Sequence, residues 1–159
     1  AEGAGVTLDE PRLARDGTRL IAGLGCRYTP DTTQGIPAQW QRLFLHYAAA
    51  LPKQHTAFGV FCTSDDEGSF EYIAGVDVPS FGGLDPALST LRLPARDYVV
   101  ATHHGHISAI RRTWQAFVGN WLPRSGLQVA DAPDFEKYSA DFDDVTGMGD
   151  VEIWLPLQA

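Results

Sequence analysis

The sequence predicts an α+β fold: two strand–helix–strand–strand repeats with pseudo-twofold symmetry, forming one curved antiparallel sheet with two main helices packed against it. Three observations carry this. Apolar residues recur at helical spacing twice, each time flanked by runs of strand composition. Ile36-Pro37-Ala38 and Ile107-Ser108-Ala109 open the two helical stretches, Leu51-Pro52 and Leu122-Pro123 close them, and both pairs are offset by 71 residues, as in an internal duplication. Finally, 159 residues at 44% hydrophobic content suit one shared core, and neither half could cover its sheet alone.

Residues 1–17 are small, polar and aperiodic and read as a mobile lead-in, with one short strand around Val6–Leu8. Residues 18–159 read as a single domain: repeat one over about 18–78, a linker over 79–90, and repeat two over about 91–157. Arg19–Tyr28 is the first strand. Its Gly23-Leu24-Gly25 resembles the start of a dinucleotide loop, but Tyr28 occupies the place of the third glycine. The glycines are read instead as sites of close backbone approach.

Thr29–Thr33 supplies turn and cap chemistry, and Pro37 suits a first helical turn. Ile36, Trp40, Leu43, Phe44, Tyr47 and Leu51 then share one helical face. Thr56–Thr63 and Ser69–Val78 form a hairpin around Ser64–Gly68, and the Gly- and Pro-rich 79–86 links the halves. The second repeat follows with a strand at Asp97–His104 and a helix from Ile107 to Trp121, with Pro123 just past its end. A strand run from Leu127 continues irregularly to Tyr138, and Val151–Leu157 closes the chain.

Twelve Lys and Arg against twenty Asp and Glu leave a net charge of −8. That argues against nucleic acid, which needs a basic patch. No apolar run is long enough to span a bilayer, and the N-terminus lacks a basic segment followed by an apolar one. Cys26 and Cys62 read as buried free thiols of a reducing compartment, with a disulfide between neighbouring strands the alternative. Together these give a cytoplasmic reading.

The chemistry concentrates in Asp134-Phe135-Glu136-Lys137-Tyr138 and Val151-Glu152-Ile153-Trp154-Leu155-Pro156. Residues i and i+2 of a strand share a face, which pairs Glu136 with Tyr138 and Glu152 with Trp154. A carboxylate beside an aromatic ring attracts an organic cation through both charge and ring quadrupole. The plainer alternative is the polar face of an antiparallel sheet.

Other clusters carry less. His103-His104-x-His106 invites a metal reading, but His103 and His104 are adjacent and point to opposite faces, and His46 and His55 lie in other elements, so three or four ligands do not converge. Asp141, Asp143, Asp144 and Asp150 do not match calcium-loop spacing. No Ser-His-Asp set or nucleophile elbow is present. The reading is therefore of no metal and no cofactor.

The two-repeat order, the Ile36-Pro37-x-x-Trp40 helix start, Phe135-Glu136-x-Tyr138 and the terminal Glu152-Ile153-Trp154-Leu155-Pro156 together resemble the GyrI-like small-molecule-binding proteins. This is the module that serves as effector-binding domain in AraC-type and multidrug-sensing regulators. The resemblance covers about residues 18–157. It implies a cleft for bulky, often cationic, aromatic compounds, with Glu136 as the key carboxylate, Tyr138 beside it, and Trp40, Phe44 and Trp154 as aromatic walls. Glu152 is a second candidate anion, while Trp40, Phe44 and Trp154 have a plain core reading too, and Tyr72 and Trp114 stay open between core and pocket. Seventeen loose residues cannot hold a helix-turn-helix, so the chain reads as free-standing.

The function read from these residues is that of a binding protein rather than an enzyme. The resemblance also implies an alternative, because some stand-alone members of that family hydrolyse strained, cyclopropane-bearing natural products; Glu136, Glu152 and Tyr138 would then be the proton-transfer groups. Another is a protein-interaction role such as gyrase modulation.

Overall fold

The structure, a computed structural model, describes residues 8–53 and 55–158. The strand expected around Val6–Leu8 lies outside them, save Leu8. Eight strands form one antiparallel sheet: β1 (Arg12–Asp16), β2 (Arg19–Tyr28), β3 (Ala57–Cys62), β4 (Phe70–Asp77), β5 (Ser89–Leu93), β6 (Arg96–His103), β7 (Asp134–Tyr138) and β8 (Val151–Pro156). Their order across the sheet is β1-β6-β8-β7-β3-β4-β2-β5.

That order is symmetric about its centre. Repeat one contributes β3-β4-β2 on one side, repeat two contributes β7-β8-β6 on the other, and β3 pairs with β7 at the junction, Gly59 opposite Glu136. The two edge strands were not expected. β1 falls inside the stretch read as a lead-in, and β5 begins inside the stretch read as a linker. Each runs directly into the first strand of a repeat but pairs with the other repeat: β1 with β6, β5 with β2. The exchange laces the halves together, and ion pairs Arg15–Asp97 and Arg12–Glu152 fasten β1 to β6 and β8. Short, mixed-composition strands like these carry too little alternation to stand out from loop in a sequence.

Helix α1 spans Ile36–His46, with Pro37 in its first turn. It ends sooner than the apolar stripe implied, because the chain passes into a single 3-10 turn at Ala48–Ala50 before Leu51. Leu43 and Leu51 still pack with Ala22, Val76 and Leu88. The second helical stretch opens with a 3-10 turn at Ile107–Ala109. It continues as α2 (Ile110–Trp114), a π-helical segment at Gln115–Trp121 and α3 (Leu122–Ser125). It therefore runs past Pro123, which sits where the π-helical segment gives way to α3.

Both helices cover the same sheet face. Val99, Ala101, Ile153 and Leu155 meet Phe117, Trp114 and Trp121 under the second helix. The other face curls on itself around Ile21, Phe58, Ile73, Tyr98, Phe135 and Trp154. Phe135 and Trp154 stack there with ring centroids 5.5 Å apart, and Tyr98 meets both edge-on. Gly23 on β2 permits the close approach read for it: a Cβ there would lie 2.0 Å from the Ala74 carbonyl oxygen. Cys26 and Cys62 are free and half-buried rather than fully buried. β4 lies between their strands, so they cannot pair.

Candidate functional site

Between the two helices, over the β3–β7 junction, an open cleft of about 1590 Å³ reaches down to the sheet. Ile36, Phe61, Phe70, Ile110, Trp114 and Glu136 line it. Repeat one supplies the first three and repeat two the others, so the cleft exists only because the halves join.

Glu136 is the buried charge at its floor, 6% exposed. Strand alternation on β7 points it to the helix side together with Asp134 and Tyr138. The Trp114 indole N–H donates to Glu136 Oε2 at 2.7 Å, and the Tyr138 hydroxyl donates to Oε1 at 3.3 Å. The cluster extends from Tyr138 into repeat one. The Tyr72 phenol neighbours that of Tyr138, and Trp40 Nε1 donates to the Tyr72 hydroxyl at 3.0 Å. The Tyr138 ring meets the Trp40 ring edge-on at 5.4 Å. Phe61 packs edge-on against Trp114 and Tyr72, at 5.4 and 4.9 Å.

Burial pushes the Glu136 carboxyl up to about 7, with Asp134 adding to the rise, while the Trp114 and Tyr138 donors pull the other way. Burial also holds the Tyr72 and Tyr138 phenols well above their usual range, so both stay protonated donors. Among the described residues no Lys or Arg forms an ion pair with Glu136.

Of the residues picked from sequence, the structure gathers Glu136, Tyr138 and Trp40. Phe44 stacks on the far side of Trp40 and against His55, away from the carboxylate. Trp154 and Glu152 belong to the opposite face. Register pairs Glu136 with Ile153, and pairs Phe135 with Trp154 and Lys137 with Glu152, so one step of the strand separates the two sets. Trp154 fills the opposite core and donates to Glu152 at 3.1 Å, and Glu152 pairs with Arg12. Neither reaches the cleft, and Glu152 cannot partner Glu136 in proton transfer.

Tyr72 and Trp114, left open by the sequence, are both part of the Glu136 network. Three further participants were missed. Phe61 reads as an ordinary strand aromatic. Gly59 lies opposite Glu136, and a Cβ there would be 2.1 Å from the Tyr72 hydroxyl oxygen, so only glycine leaves the ring its place. Asp134 did carry a signal: it is two residues before Glu136 on the same strand.

The histidines go to separate partners. His103 Nε2 donates to the His106 carbonyl and its Nδ1 faces the Thr113 hydroxyl. His104 bridges Asp9 and Asp150, and His106 caps the second helix through Ser108 N–H.

A family model for the GyrI-like small molecule binding domain matches residues 10–158. The transcriptional regulator BrlR of Pseudomonas aeruginosa is 29% identical over 105 residues, which are 65% of this chain and 38% of that protein. A DNA gyrase inhibitor of Erwinia billingiae is 32% identical over 65 residues, 41% of each. The matched stretch thus spans less than half the length of either relative. Among solved structures, SAV2435 bound to tetraphenylphosphonium superposes with a TM-score of 0.76 at 19% identity, covering 95% of both chains. No helix among the described residues is long and apolar enough to cross a membrane.

Proposed function

Because the chain belongs to the GyrI-like small-molecule-binding family, we propose that its ligands are bulky, cationic, aromatic drug-like compounds held in the cleft between the repeats. The observation that carries this is Glu136: a carboxylate buried among Trp114, Phe61, Tyr72 and Tyr138, with no cationic side chain of the described protein paired to it. Ionising an acid there is costly. A cation entering the cleft offsets that cost and gains the faces and edges of the rings.

The bound cation in the fold neighbour SAV2435 is of this chemical class. The half-buried free thiols fit a reducing, cytoplasmic setting. Titration with tetraphenylphosphonium, followed through the tryptophan fluorescence of Trp114 and Trp40, tests the reading. Saturable quenching in the micromolar range supports it; an unsaturable response up to millimolar concentration overturns it.

A second reading rests on the same carboxyl. A buried acid poised near neutrality, touching a protonated tyrosine, can transfer protons to a strained electrophile such as a cyclopropane-bearing compound. In that case Glu136 and Tyr138 act and Glu152 does not. Multiple turnovers of such a compound, lost in Glu136→Gln, would establish it; binding without turnover excludes it.

A further inference from the structure

We propose that Asp134 forms a second anionic subsite of this cleft, so that its preferred ligands are flat aromatic dications with two charges about one strand repeat apart. The inference rests on the cation-binding reading of Glu136 and goes beyond it in naming a second charge.

Asp134 and Glu136 lie on β7 two residues apart, and their side chains leave the same face of the strand on the order of 7 Å apart. Both line the cleft. Asp134 sits opposite Phe61 across the β3–β7 junction, so the aromatic wall that faces Glu136 continues beside it. Protein surrounds Asp134 on most sides although part of its surface stays in water. Burial pushes its carboxyl up to about 6, and its own backbone N–H is the one group that lowers it.

Neither carboxyl forms an ion pair among the described residues. The basic group on the same cleft is Arg111, on the second helix, and Glu71 on β4 and Asp131 ahead of β7 are further acids on it. Two like charges this close, in surroundings drier than bulk water, repel and raise each other's cost of ionising. A monocation on Glu136 relieves one of them. A dication whose charges match the strand spacing relieves both at once, and a flat ring system between those charges lies along Phe61 and Trp114.

The probes are methyl viologen and N-methyl-4-phenylpyridinium. They share size and biaryl shape but carry two charges and one, and the ring nitrogens of methyl viologen lie at about the separation of the two residues. Binding is measured at pH 8.5, where both carboxyls are ionised, to the wild-type chain and to Asp134→Asn, Asp134→Glu and Glu136→Gln. The wild-type chain should bind methyl viologen roughly tenfold more tightly than the monocation. Asp134→Asn should abolish that preference while leaving the monocation, held at Glu136, within about twofold of its wild-type affinity. Asp134→Glu should keep the preference, which separates charge from mere folding. A preference unchanged in Asp134→Asn, or equal losses for both probes, overturns the second subsite while leaving Glu136 intact. Both affinities unchanged in Glu136→Gln would instead overturn the cation-binding reading on which the subsite rests.

Discussion

The indole N–H of Trp114 lies 2.7 Å from Glu136 Oε2, reaching down from the second helix to the floor of the cleft. It is the shortest contact the carboxylate makes and it favours the charged form. Trp114→Phe keeps an aromatic wall and removes the donor. Loss of a hydrogen bond to a charged group costs roughly 1.5–3 kcal/mol, or about one to two pH units in the carboxyl's ionisation. The pH midpoint for cation binding should therefore move up by that amount. Affinity of a quaternary aromatic cation measured from pH 6 to 9 checks it; an unshifted midpoint contradicts the role given to Trp114.

Ligand-free stability should carry the mark of the same group. Glu136 is raised from its ordinary 4.5 to about 7, so between those values the folded state holds its proton more tightly than the unfolded chain. Stability is then greatest below about 4.5, falls as pH rises through the window, and levels off above 7. Asp134, raised to about 6, adds a slope of the same sign. Glu136→Gln removes the larger share, so it should be more stable than wild type at pH 8, by on the order of 2–3 kcal/mol, and lose that advantage at pH 5. Urea denaturation at the two pH values decides it.

Trp154 and Glu152 should not affect ligand affinity. They share a face with Phe135 and Lys137, behind the sheet from Glu136. Trp154→Phe and Glu152→Gln should leave cation affinity within about twofold, whereas Trp154→Ala should cost roughly 3–5 kcal/mol of stability. A large affinity loss in Glu152→Gln would contradict the two-face assignment.

Gly59 leaves the Tyr72 ring its place by carrying no side chain. A Cβ there would press on the Tyr72 hydroxyl and ring, so Gly59→Ala must displace Tyr72 and break its contact with Trp40. Overpacking of this kind costs about 1–3 kcal/mol. Tyr72→Phe in the same chain relieves the closest clash, so the double variant should be more stable than Gly59→Ala alone. A Gly59→Ala protein as stable as wild type would show that the ring has room.

The sequence made the repeats legible because their helices carry long apolar stripes with matched proline ends, Ile36 to Pro52 and Ile107 to Pro123. β1 and β5 escaped it, because each owes its existence to pairing with the other repeat and little to its own alternation. In the site, Glu136 with Tyr138 was visible from period-two spacing on one strand. The same rule paired Glu152 with Trp154 correctly and yet placed them wrongly, because alternation says which residues share a face and is silent on which face meets the helices. Trp114 and Tyr72 could not be separated from core by type, since a buried aromatic that fills space and one that also donates a hydrogen bond look alike in a helical or strand stripe. Asp134 obeys the rule that exposed Glu136, but the residue two places on is Glu136 and not an aromatic ring.

The central claim is that the Glu136 carboxylate selects positive ligands. The most direct measurement is calorimetric titration of methyltriphenylphosphonium and of neutral triphenylphosphine oxide into the wild-type chain and Glu136→Gln, across pH 5–8. In wild type the cation should bind more weakly as pH falls through about 7, where the carboxyl takes up its proton, and the neutral compound should show no such dependence. Glu136→Gln should weaken the cation roughly ten- to hundredfold at pH 8 and barely change the neutral compound. Equal losses for both ligands, or cation binding in wild type that ignores pH, would contradict it.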